Sequence, residues 1–138
     1  MPKLPDAFDP HPARDASLAS MRAVESGDKA AWLALFADDA VVEDPIGPSP
    51  FDPDGAGHRG IAAIEAFYDA VIAPNDVTFA IEASWAGGSE VANVGTISTT
   101  MGDGTVVHTD GVFTYRVDDD GAVVALRAYW EMDRLRFG

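Results

Sequence analysis

The sequence predicts an α+β fold in which three helices pack against one antiparallel sheet. Apart from one short strand near residue 40, apolar residues recur at helical spacing up to residue 73. Beyond it they alternate in strand fashion to about residue 132. Short glycine-bearing turns punctuate the second half, which favours a meander of neighbouring strands. At 138 residues and 47% hydrophobic content, the chain suits one domain that buries roughly two-thirds of its unfolded surface. Residues 1–8 are expected to form a flexible arm and residues 9–138 the single domain.

The elements follow in order. Asp9-Pro10 is a favourable helix entry, and Leu18, Met21 and Val24 recur at threes, so a helix is expected over 10–26. Gly27 stops it and Asp28 caps a second helix over 29–36, with Trp32, Leu33 and Phe36 on its inner side. Ala40 to Asp44 reads as a short strand that places Val42 and Asp44 on one face and Val41 and Glu43 on the other. Pro45 biases Asp44 toward extended backbone. Residues 46–57, with three prolines and three glycines, read as a loop, a rim or flap carrying Phe51. Gly60 opens a third helix over 61–73, whose Ile61, Ile64, Phe67, Tyr68, Val71 and Ile72 follow the 3.6-residue repeat. Four strands complete the chain, over 77–86, 90–101, 105–117 and 122–132. On the third, Phe113, Tyr115 and Val117 share a face; on the fourth, Leu126, Ala128 and Trp130 do. Glycine, alanine and aromatic residues share these strand faces, a pattern that suits an open cone with a cavity and a filled core alike.

Nine basic against 23 acidic residues give a net charge of −14. That field repels phosphate backbones and anionic lipid, so neither nucleic acid nor a charged membrane surface is an expected partner. It is no obstacle to a neutral apolar ligand. No apolar run approaches the ~18 residues of a membrane span, and the N-terminus lacks the apolar region of a signal peptide. Cytoplasmic localisation without membrane insertion is the expectation. The absence of cysteine rules out disulfides and thiolate metal sites. Three scattered histidines have no zinc spacing. Asp52 and Asp54 lack the further oxygen ligands of a calcium loop. No metal or cofactor is expected.

Three stretches together carry a family. WLALFADDAVVEDPIG, the glycine-bounded helix GIAAIEAFYDAVI and the close RVDDDGAVVALRAYW strongly resemble the ketosteroid isomerases. These belong to the larger group that folds like nuclear transport factor 2 and includes polyketide cyclases. The likeness runs from about residue 18 to 132. It implies a cone-shaped, strongly curved antiparallel sheet that encloses a deep apolar cavity with three helices, and a homodimer packed through the outer sheet faces. It also implies cofactor-free chemistry, in which an aspartate base works with an oxyanion hole made of a tyrosine and a protonated aspartic acid.

Carried over by position, the resemblance makes Asp44 of VEDP the general base. Tyr68 falls on a pocket tyrosine of the third helix, and Trp130 on an aromatic of the last strand. The oxyanion tyrosine stands seven residues before the Gly-Asp turn, and here that position is Ser20. The oxyanion acid stands eight residues before the glycine of the last turn, where this chain has Phe113. Asp110 is near but falls on the opposite strand face. Candidate donors are therefore Tyr68, Tyr115 and Ser20, with His108 and the Trp130 N–H behind them. The expected ligand wall comprises Val42, Phe67, Phe113, Leu126, Ala128 and Trp130.

Each residue also has a plain structural role open to it. Asp44 could be a strand-end carboxylate satisfied by backbone N–H groups, and each tyrosine a core aromatic bonded to a carbonyl. His108 reads as a surface strand residue, and His58 and His11 as solvated. Three functions follow: isomerisation of a β,γ-unsaturated 3-ketosteroid, binding of a steroid or other polycyclic lipid without chemistry, or cyclase-like chemistry on another carbonyl compound. Epoxide hydrolysis is disfavoured, because Arg127 lies on the face opposite Trp130.

Overall fold

The computed structural model describes residues 9–138; the expected arm, 1–8, lies outside the described residues. Helices α1 (Pro12–Ser26) and α2 (Lys29–Leu33) precede β1 (Phe36–Glu43). A two-residue strand β2 (His58–Arg59) leads to α3 (Ile61–Phe67), which widens into a π-helical turn over Tyr68–Ile72. Then come β3 (Asp76–Gly87), β4 (Glu90–Thr100), β5 (Val106–Val117) and β6 (Val123–Tyr129). A 3-10 turn, Met132–Arg134, joins these to a terminal strand, β7 (Arg136–Phe137).

The strand order is β2-β1-β6-β5-β4-β3, with β7 added to β5. Strands β3 to β6 form the expected antiparallel meander. The sheet as a whole is mixed, because β1 lies parallel to β6. Parallel pairing needs a long connection, and the stretch from β2 to β5 supplies it.

Three boundaries differ from expectation, each for a local reason. His11, not Asp9, caps α1, its Nδ1 accepting from Ala13 N–H at 3.1 Å with Pro12 in the first turn. Phe36 leaves the second helix and opens β1, where it pairs with Val123 and stacks edge-on against Trp32 at 4.7 Å. The last strand stops at Tyr129, and the chain turns back over the sheet. The cap at Asp28 is as read, its Oδ1 accepting from Ala31 N–H at 3.0 Å. Gly27 ends α1 with φ 69°, and its N–H returns to the helix carbonyls.

Curvature has a visible cause. Gly95 on β4 faces Gly111 on β5. A Cβ on Gly95 would lie 2.2 Å from the Ala80 carbonyl oxygen, and one on Gly111 2.4 Å from that of Tyr129. Only glycine permits such close backbone approach, and a bulge at Glu82 of β3 adds to the bend. Helix α1 is pinned across the inner face by polar contacts. Asn93 Nδ2 donates to Ser17 Oγ at 3.0 Å, and Arg14 Nε donates to Ser84 Oγ at 3.0 Å. Around them pack Trp32, Phe36, Ile64, Val91, Val117 and Val123. Among the described residues, no helix is long and apolar enough to cross a membrane.

Candidate active site

The helices do not fill the curled sheet. A cavity of about 430 Å³ remains, and Asp44 is the only charged residue lining it among those described. Val42, Phe67, Phe113, Leu126 and Trp130 line it, together with Ser20 and Tyr115. Ala128 does not reach it. Its one methyl group is fully buried beside Phe113 across the ladder, and its carbonyl accepts the Ile46 N–H.

Asp44 stands just past β1, on the same side as Val42, at a cis bond to Pro45. It is half-buried. Loss of solvation raises its proton affinity, while the Trp130 indole N–H, donating to Oδ1 at 2.5 Å, and the charge of His58 act the other way. The Trp130 N–H is thereby engaged, which removes it as an oxyanion donor. Sequence reasoning placed His58 in a solvated loop. It pairs instead with Val42 through β2, and its ring lies 4.7 Å from Phe67.

A second polar group sits on α1, α2 and β5. Trp32 Nε1 donates to Ser20 Oγ at 3.0 Å, and Ser20 Oγ lies 2.8 Å from the Tyr115 hydroxyl. All three side chains are buried. Burial pushes the Tyr115 phenol well up from its ordinary value; the hydrogen bond to Ser20 opposes this and the Asp44 charge adds to it. Tyr115 is therefore a neutral phenol at physiological pH. The Trp32 role was missed, although a buried indole N–H requires a partner.

The remaining candidates fall elsewhere. Tyr68 is buried against Trp32 at a ring distance of 5.3 Å and does not line the cavity. Its phenol is pushed up by burial first, then by Asp28 and Asp69, with Lys29 opposing. His108 bonds Ser98 Oγ through Nδ1 at 2.8 Å, and His11 bonds the Gly88 carbonyl. Asp110 faces a hollow on the outer side of the sheet, as its strand parity requires. Arg127 meets Glu43 at 3.1 Å, away from the cavity. In the rim loop, Asp52 Oδ2 accepts the Gly57 N–H at 2.8 Å, and Phe51 reaches the cavity.

The site thus joins a desolvated carboxylate and a neutral phenol in one apolar chamber. Comparison with known proteins gives the frame. The SnoaL-like domain family matches residues 18–126. The chain belongs to that family. A steroid delta-isomerase of Nocardioides simplex is 38% identical over 109 residues, or 78% of this chain and 80% of that protein. The solved delta-5-3-ketosteroid isomerase from a Mycobacterium species is 49% identical to this SnoaL-like chain. Its TM-score is 0.88 over 92% of this chain and 98% of the other. A Mycobacterium tuberculosis protein crystallised with estradiol-17beta-hemisuccinate is 40% identical, with a TM-score of 0.89 over 93% and 100% of the two chains. The family read from the sequence is borne out.

Proposed function

We propose that this SnoaL-like protein is a cofactor-independent isomerase that moves a proton on a β,γ-unsaturated 3-ketosteroid. The observation that carries the reading is the Asp44 carboxylate and the neutral Tyr115 phenol lining one apolar cavity. Asp44 takes the proton from the carbon between the carbonyl and the double bond. The electron pair moves into the carbonyl, giving a dienolate. Asp44, now protonated, returns the proton to the γ-carbon, and the double bond comes into conjugation. A desolvated carboxylate is a better base than a solvated one.

The dienolate oxygen needs a donor, and Tyr115 is our assignment. An indole N–H can only donate, so Ser20 Oγ accepts from Trp32 and is free to donate its own proton to Tyr115. The phenol hydrogen is then released toward the cavity. In this chain of donors, Trp32 to Ser20 to Tyr115, each bond polarises the next. A phenol reaching in from β5 stands in for the family tyrosine that Ser20 replaces.

An absorbance assay for the conjugated enone, run on the wild type beside Asp44→Asn, tests the reading. The substitution is expected to cost about a thousandfold or more in kcat. Equal rates, or no turnover above buffer, would sink it. Phe113, an apolar residue at the family's acid position, favours a second reading: steroid binding without turnover. Tight binding of a phenolic steroid, combined with silence in the absorbance assay, decides for it.

A further inference from the structure

Large apolar side chains exposed to water are unevenly placed. Among the described residues six stand out: Phe51, Trp85, Met101, Tyr129, Met132 and Phe137. Four of these, Phe51, Met101, Met132 and Phe137, line the same cavity that holds Asp44. They come from separate segments: the loop before β2, the β4–β5 turn, the turn after β6, and β7. Leaving such groups in water is unfavourable, and a contiguous exposed apolar patch marks a binding surface.

The chamber is also long. Its wall along β5 runs from Tyr115 through Phe113 and Thr109 to Val107, where β7 pairs. Its ends are eight positions apart in the chain, at most about 27 Å of strand at 3.4 Å per residue. With its carbonyl at Tyr115, a fused four-ring nucleus lies along this wall and points its far end toward the mouth, where Met101, Met132 and Phe137 stand. Among the described residues, no charged side chain lines the outer reach, where Val77, Ile97 and Leu135 continue the apolar wall. The strap that carries Leu135 and Phe137 is held in place by Arg136, whose Nε and Nη2 donate to the two Asp110 oxygens at 2.7 and 2.9 Å.

We propose that the mouth is a subsite for a flexible aliphatic tail, so that the favoured ligand is a ketosteroid carrying an alkyl side chain on its terminal ring. The inference rests on the ketosteroid reading and names its substrate class. Two methionines, Met101 and Met132, suit the task, because an unbranched thioether side chain adapts to a mobile chain.

Tryptophan-fluorescence titrations with cholestenone and androstenedione, both presented from the same concentration of methyl-β-cyclodextrin, test it. These enones share the ring system and differ in the tail. The wild type is expected to bind cholestenone at least about tenfold more tightly. Met101→Ser and Phe137→Ser, both exposed positions, are each expected to reduce that preference several-fold; the comparison between proteins cancels the solubility of the ligands. Binding of androstenedione with no tail preference, or a preference that neither substitution moves, overturns the subsite alone. Binding of neither steroid removes the ketosteroid reading and the subsite with it. Sedimentation with phosphatidylcholine vesicles that depends on Met101 and Phe137, with no tail preference, would assign the mouth to a lipid surface instead.

Discussion

Asp44, just past β1, and Asp110, on β5, lie on opposite faces of one sheet, and their proton affinities move in opposite directions. Asp44 looks into the apolar chamber. Burial raises its pKa, and one indole N–H and the charge of His58 hold it back. Asp110 looks outward. It accepts from Arg136 and from Thr96 Oγ1, the latter at 2.6 Å, and its pKa falls well below the usual carboxylate range. The first carboxylate is short of donors and the second is saturated with them. Three consequences follow, taken from the largest expected effect to the smallest.

The inner face has chemical value only if something receives the charge that Asp44 creates. Tyr115→Phe removes that receiver with little change of shape. A loss of about a hundred- to a thousandfold in kcat is expected. KM should move far less, because the bond strengthens in the transition state rather than in the bound substrate. Steady-state kinetics on a β,γ-unsaturated ketosteroid give both parameters. A kcat within about twofold of wild type would transfer the donor role elsewhere, with Ser20 the next group in reach.

The poise of Asp44 is itself testable. A base works when deprotonated, so kcat/KM should fall as pH drops through the Asp44 pKa, and that limb should lie above the range of an ordinary carboxylate. Trp130→Phe removes a hydrogen bond that lowers this pKa. The acid limb should therefore move to higher pH. The deficit should be about tenfold at the acid end, the scale of one hydrogen bond to a charged group, and shrink as pH rises. A uniform deficit at every pH would mean that Trp130 shapes the wall and does not tune the base.

Much of this is legible in the sequence. The segregation of helix and strand periodicities gave the architecture, and the parity of Val42 with Asp44 and of Phe113 with Tyr115 gave the face on which each lies. The parallel docking of β1 on β6 was not legible, because alternation along a strand says which face is buried and nothing about its neighbour's direction. Tyr68 shows a related limit. Helical spacing puts it inward, but Trp32 fills the space between it and the cavity. Ala128 has the right parity and too few atoms. His58 escaped notice because a two-residue strand leaves no period to read. The Ser20–Tyr115 bond joins residues 95 positions apart, and no local pattern announces it.

Asp110 supplies the weakest test and the control for the other two. Its pairing with Arg136 lies in water, with both side chains about half exposed, so most of the Coulomb attraction is screened. Asp110→Asn should therefore cost less than about 1 kcal/mol. Its pH dependence has a fixed sign. The folded-state pKa lies below the unfolded value of about 4, so the stabilisation is fully present above that value. It is lost as pH falls through the window toward the folded-state pKa. Denaturant melts of the two proteins at pH 7 should differ by that small amount, and the gap should close as pH falls below about 4. Added salt at pH 7 should also narrow it. A gap that survived acid and salt unchanged would show that the outer carboxylate acts through hydrogen bonds kept by its neutral form, and the electrostatic contrast with Asp44 would then be lost.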